Sequence, residues 1–222
     1  MKNKRNLQGI IAIMLVFVAV IISCDDGSTN GTTGGSTPVT PPVILNENGT
    51  WYSSGNIYKY YFNNGVYEYS YNGNQQKKGN YSISNNKDSI TMTISHLYFN
   101  GTTLGGYSGF SSYTGSLTAS NWYTRDQIKD SYLTKIENDA RTTFQDAYNY
   151  IYSLWSSAPE IVDFILTRDY GTSNINTYVN TQRTSYENSI NTSLDALYGS
   201  SIVAYSLRDN ILTIGGGRLT QY

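Results

Sequence analysis

Apolar and polar positions alternate with period 2 over three separate stretches of the chain. Between Ile57 and Tyr71 two alternating runs flank Asn64-Gly65, a pair suited to the left-handed backbone of a two-residue type I′ turn. With Asn63 opposite Val66, Phe62 faces Tyr67, Tyr60 faces Tyr69 and Tyr58 faces Tyr71. These aromatic side chains then share one side of the ribbon, while Lys59, Tyr61, Glu68 and Ser70 share the other. The aromatic side is expected to face inward. A second hairpin is predicted around Asn85-Asn86-Lys87-Asp88, pairing Ile83 with Ile90 and Tyr81 with Met92, with Gly79 as a bulge. By simple alternation His96 joins Ile90, Met92, Ile94 and Tyr98 on one face. A third hairpin, turning at Asp209-Asn210, pairs Leu207 with Leu212 and Tyr205 with Ile214. Gly215-Gly216-Gly217 opens no predicted helix and reads as a turn into a last strand, Arg218 to Tyr222. Antiparallel hairpins of one kind at both ends are most simply joined by closing a single meander into a barrel.

In the middle of the chain, from about Arg125 to Tyr198, the period changes to 3.6. Thr124 and Gln127 have the spacing of a capping box, and Ile128, Tyr132, Ile136, Ala140, Phe144, Ala147, Ile151 and Leu154 line one stripe. A short helix is predicted after Pro159, burying Ile161, Phe164 and Ile165 and ending near Gly171. A third begins near Ser173, turns Ile175, Tyr178, Val179, Tyr186, Ile190, Leu194 and Leu197 inward, and stops at Gly199. The first and third are long enough to pack as an antiparallel helical hairpin. The Gly/Ser/Thr-rich stretch over 100–121 has edge-strand character only near Tyr107 to Leu117. The fold class is therefore α+β: an antiparallel barrel or meander with a large helical insertion before the C-terminal hairpin. Barrel strands are expected over 46–123, the insertion over 124–199, and the closing strands over 200–222.

The N-terminus follows a different pattern. Lys2, Lys4 and Arg5 precede an uncharged apolar run from Ile10 to Ile22, shorter than the roughly 20 residues that span a bilayer. Residues 1–23 thus read as an export signal. The run ends at Ile21-Ile22-Ser23-Cys24, which resembles the lipobox of bacterial lipoproteins, with Ser23 fitting the pattern and bulky Ile22 departing from it. The resemblance implies removal of the signal and acylation of Cys24, with palmitate among the usual chains. It places the folded part outside the cytoplasm, held to a membrane by lipid, on an outer-membrane, periplasmic or cell-surface face. Several acyl chains anchor stably where one is marginal. Residues 24–45 are rich in Gly, Ser, Thr, Asn and Pro and read as a flexible tether.

Charge and composition narrow the function. Losing Lys2, Lys4 and Arg5 with the signal leaves 12 basic residues of the original 15, against 16 acidic ones, a net of −4. No basic run or stripe is present, which argues against nucleic acid as a partner. Cys24 is the only cysteine, so no intramolecular disulfide is available and burial alone must hold the core. His96 is the only histidine, which excludes multi-histidine metal sites, and no nucleophile-elbow pattern accompanies it. An enzyme is not expected, nor a cofactor. The 22 tyrosines supply apolar area with a polar end, suited to sheets and to binding surfaces alike. Exposed Tyr and Asn would also suit carbohydrate, although no position in the sequence singles out such a site.

Gly49-Thr50-Trp51, the run Gly79-Asn80-Tyr81-Ser82-Ile83 leading to Ile90-Thr91-Met92-Thr93, and Tyr205 to Ile214 together resemble the lipocalin-like domains of bacterial lipoproteins. That resemblance implies a small antiparallel barrel in which Gly49 and Trp51 are structural and pack the closed end. Two functions follow from different classes. In one, the barrel holds a small apolar or amphipathic ligand against Tyr58, Tyr60, Phe62, Tyr67, Tyr69 and Tyr71, with His96 nearby and the helices as a lid. In the other, the barrel is solid and the helical insertion is an interface for a protein partner. A cavity above a few hundred Å³ would favour the first, and exposed apolar residues along the helices the second.

Overall fold

The computed structural model describes residues 49–108 and 115–221; the expected export signal, Cys24 and the expected tether lie outside them. Nine strands and three α-helices follow in the order β1 (Gly49–Ser53), β2 (Tyr58–Asn63), β3 (Val66–Tyr71), β4 (Asn74–Ile83), β5 (Ser89–Phe99), β6 (Asn121–Tyr123), α1 (Arg125–Trp155), α2 (Pro159–Tyr170), α3 (Ile175–Leu197), β7 (Ser200–Arg208), β8 (Ile211–Ile214) and β9 (Gly217–Gln221), with one 3-10 turn at Ser54–Asn56. Every strand pairing is antiparallel. The ring runs β1-β2-β3-β4-β5-β7-β8-β9 and returns to β1, while β6 adds to the free length of β5. This is an up-and-down barrel of lipocalin-like form, with β6 and the three helices inserted between its fifth and sixth staves.

The hairpin registers are those the turn chemistry dictates. Phe62 pairs with Tyr67, Tyr60 with Tyr69 and Tyr58 with Tyr71, and Asn64 and Gly65 both have positive φ, at 46° and 81°, as a type I′ turn needs. Ile83 pairs with Ile90 and Tyr81 with Met92. Leu207 pairs with Leu212 and Tyr205 with Ile214 across Asp209 and Asn210, which also take positive φ. Register partners point to the same side of a sheet, so these pairs build one inner layer. Phe62, Ile90 and Leu212 are fully buried there, with Trp51, Tyr67, Tyr81, Met92, Tyr205, Ile214 and Leu219 around them.

At Gly79 the pairing slips: it faces Ile94, whereas Lys78 faces His96, so Ser95 is the extra residue of a bulge. A Cβ on Gly79 would lie 1.9 Å from the Thr93 carbonyl oxygen. The bulge reverses the sides of β5 beyond it. Leu97, opposite Lys77, returns to the inner side, and His96 and Tyr98 turn outward. The expectation that His96 lies with Ile90, Met92 and Ile94 is therefore corrected. Simple alternation fails there because one residue is counted twice on one strand.

Past the bulge β5 extends beyond β7, and its inner residues Leu97 and Phe99 meet helices instead of strands. They form a second core with Leu104, Ile128, Tyr132, Leu133, Ile190 and Leu194. Thr124 caps α1 in a reciprocal capping box with Gln127. Three ion pairs tie α1 to α3: Arg125–Asp195 at 2.7 Å, Lys129–Glu187 at 2.7 Å, and Glu137–Arg183. A third core, Phe144, Ile151, Val162 and Leu166, is made of helical residues alone. On the helix rise, its α1 residues Phe144 and Ile151 lie roughly 24 and 35 Å further along the helix than Ile128.

In α2 the buried positions are Val162 and Leu166, while Phe164 is 65 % exposed. This corrects Phe164 in the expected set of Ile161, Phe164 and Ile165; Ile161 is half-buried, and half-buried Ile165 packs against the third core. Apolar residues fill five of the six positions from 161 to 166, so the sequence alone does not fix the phase. Leu154, expected inside α1, is 60 % exposed. Isolated bridges join Phe99, Leu104 and Tyr107; of the edge strands expected near Tyr107 to Leu117, residues 109–114 lie outside the described residues.

Candidate functional site

The aromatic ladder assembles on one side of β2 and β3, as a packed layer. Ring centroids are 4.9 Å apart for Tyr60 and Tyr69, 5.4 Å for Tyr58 and Tyr71, and 6.5 Å for Phe62 and Tyr67. Tyr81 meets the Phe62 ring edge-on at 5.0 Å. The ladder grades from buried to wet: Phe62 and Tyr67 are 0 % and 4 % exposed, whereas Tyr58 and Tyr71 are 44 % and 38 % exposed. Burial, followed by the neighbouring Tyr58, pushes the Tyr60 phenol up to about 12; burial and then Tyr60 push Tyr67 up to about 12. Tyr69 is raised by burial first and by its tyrosine neighbours second. These phenols are thus strongly held in the neutral form. Gly49 pairs with Phe62 and Trp51 with Tyr60, and Trp51 is buried in the same core.

His96 stands apart from the ladder, on the outer side. Its Nδ1 lies 2.9 Å from the Ser95 hydroxyl, and its pKa is lowered by burial first and by Lys78 second. Among the described residues no group of three His, Cys, Asp or Glu side chains is arranged to hold a metal ion. No described helix is long and apolar enough to cross a membrane.

Two concavities stand out among the described residues, and neither is lined by the inner layer of the barrel. One, of about 470 Å³, lies on the outer wall among Lys59, Tyr61, Glu68 and Tyr98. The other, of about 340 Å³, lies at the far end of the helical insertion between α1 and α2. Ala147, Tyr150, Ile151 and Leu154 floor it from α1, at the i, i+3, i+4, i+7 spacing of one helix face, and Ile165 and Tyr170 close it from α2. Within it Tyr150 is 68 % and Leu154 60 % exposed, and on α2 Phe164, outside its lining, is 65 % exposed. Elsewhere on α1 Tyr148 and Tyr152 stack at 5.7 Å, and Arg168 is paired through two nitrogens to Asp169 on the rim of the groove.

One of the two functions expected from the sequence puts an interface on the helices, but Ala147, Ile151, Leu154 and Ile165 are expected there as buried residues and Tyr150 is not singled out. A signal was present: Tyr148, Tyr150 and Tyr152 sit at positions that the buried stripe of α1 leaves to solvent, where polar side chains are usual. Compared with protein-family models, with curated proteins and with solved structures, the chain matches none.

Proposed function

We propose that this chain is a lipid-anchored extracytoplasmic protein whose barrel is a solid scaffold and whose helical arm binds a protein partner. The exposed aromatic and aliphatic cluster around the α1–α2 groove carries the reading. Monomeric proteins seldom leave such side chains together in water, and aromatic residues with Arg mark interface centres. The groove has the dimensions and floor spacing that receive an amphipathic helix or a short apolar segment. Over residues 144–170 the charged side chains are Asp146, Glu160, Asp163 and Asp169 against Arg168 alone. An anionic lipid surface would be repelled there, and a partner with a basic rim attracted. The lipid on Cys24 would fix the protein at a membrane, with the tether giving the arm reach. The alternative, a small apolar ligand between Tyr60 and Tyr69, would have to displace a layer already closed by Phe62, Tyr67 and Tyr81.

The test is site-specific photocrosslinking of the intact lipoprotein in its own cells. A photoreactive phenylalanine analogue would replace Tyr150 or Phe164, and Ile202, 74 % exposed on the barrel, would serve as the apolar control. The reading expects one discrete adduct with a different protein from both arm positions and none from Ile202. Adducts only with a second copy of the chain, equal labelling from Ile202, or no protein adduct would overturn it.

A further inference from the structure

The outer wall of the barrel carries a second site, independent of the arm. Two bulges bend the sheet around it, one where the β3–β4 register slips between Tyr69 and Ser70 and one at Gly79. Between them lies the open groove of about 470 Å³. The outward side chains fall into rows by register: Tyr61 with Glu68 and Lys78, and Lys59 with Ser70 and then Gln75. Tyr98, turned outward by the bulge, stands on the far side. Its ring is held edge-on by Trp122 at 5.1 Å, and the Lys78 ammonium lies 4.8 Å above Trp122.

Three features define what this groove takes. Tyr61 and Tyr98 give it half-buried aromatic faces. The side chains of Glu68, Ser70 and Gln75 join no hydrogen bond or ion pair among the described residues, so acceptors and donors are left for a ligand. Finally, its lining balances one carboxylate, Glu68, with one ammonium, Lys59, so neither sign of ligand charge is favoured. Apolar molecules lack hydrogen-bonding groups for this polar lining, and anions would find the carboxylate opposing the ammonium. A neutral sugar matches all three: its C–H face lies on an aromatic ring while its hydroxyls both donate and accept. We propose that this groove, open to solvent, binds a neutral polysaccharide.

Binding is measured by calorimetry on the full lipoprotein, held in a detergent without a sugar headgroup. Cellohexaose, maltohexaose, mannohexaose and chitohexaose are the probes. Saturable binding of at least one is expected, weakened about tenfold or more by Glu68→Gln or Tyr61→Ala, the loss that about 1.4 kcal/mol of contact energy gives. Tyr150→Ala on the arm, in contrast, leaves the affinity unchanged. Far-UV circular dichroism identifies any variant that fails to fold, and Glu68→Gln, a half-buried surface change of nearly equal shape, keeps the test open if Tyr61→Ala does. No saturable binding to any of the four sugars, or binding undiminished in a folded Glu68→Gln protein, overturns the proposal.

Discussion

Replacing Gly79 by Ala tests a close approach of two staves in the barrel. The added Cβ would lie 1.9 Å from the Thr93 carbonyl oxygen, 2.9 Å from its carbon and 3.0 Å from the Ile94 Cα. All three are backbone atoms of β5, so no rotamer change relieves the contact, and either β4 or β5 must move. Since β5 also pairs with β7 and β6, the displacement spreads into the ring. Overpacking of this kind costs about 3 kcal/mol, a large part of the roughly 5–15 kcal/mol that a domain has in total. Gly73→Ala is the matched control. It has φ of +75° with no atom within 4 Å of a built Cβ, so only the left-handed backbone opposes it, at about 1 kcal/mol. Urea unfolding would be followed by the fluorescence of Trp51, which is 5 % exposed in the barrel core, and by far-UV circular dichroism. The expected order of midpoints is wild type, then Gly73→Ala, then Gly79→Ala at the lowest urea. A Gly79→Ala protein within about 0.5 kcal/mol of wild type, or more stable than Gly73→Ala, would refute the bulge as drawn.

Two further predictions concern the tyrosine layer and the anchor. Tyr67 has its folded pKa pushed up to about 12 by burial and then by Tyr60, against about 10 in an unfolded chain. Above about pH 10 the unfolded chain therefore loses this proton first, and stability falls by up to about 1.4 kcal/mol per pH unit until the folded group ionises. Urea midpoints should drop between about pH 9 and about pH 11.5, and Tyr67→Phe should make that drop shallower; an unchanged slope in a folded Tyr67→Phe protein counts against the buried phenol. Separately, Cys24→Ala should abolish labelling by radioactive palmitate and release the protein from the membrane fraction, whereas persistent labelling would show that the anchor is elsewhere.

The barrel was legible in the sequence because its turns are chemically specific. Asn64-Gly65 and Asp209-Asn210 fix a hairpin register to the residue, and period-2 alternation then assigns every neighbouring side chain a face. Helix limits were legible for a similar reason: Thr124, Pro159 and Gly171 mark ends whose unpaired backbone groups need particular residues. What could not be read was geometry set by distant parts of the chain. Gly79 pointed to a bulge on β4, but which residue of β5 it left over, and hence the side taken by His96 and Tyr98, depended on the pairing across the two strands. The phase of α2 was open because Ile161, Val162, Phe164, Ile165 and Leu166 give several equally apolar faces, and only packing against Phe144 and Ile151 selects Val162 and Leu166. The outer groove had no linear signal, since it brings residues 59–75 beside Tyr98.

The same aromatic richness serves two ends, and burial separates them. With no disulfide available, the barrel must be held by apolar area removed from water, at about 25 cal/mol per Å². Phe62, Tyr67, Tyr81 and Tyr205 are spent in that way. These side chains are buried together in the barrel core. Function is better sought in aromatic residues that contribute little to the fold where they stand. Tyr150 and Phe164 leave most of their surface in water, forgoing much of the 1.5–3 kcal/mol that full burial of such a side chain brings. Tyr61 and Tyr98 occupy the outer wall, where a polar side chain would meet the needs of the sheet equally well. An aromatic residue at such a position costs solubility without strengthening the core, and contact with something outside the chain would supply the missing compensation.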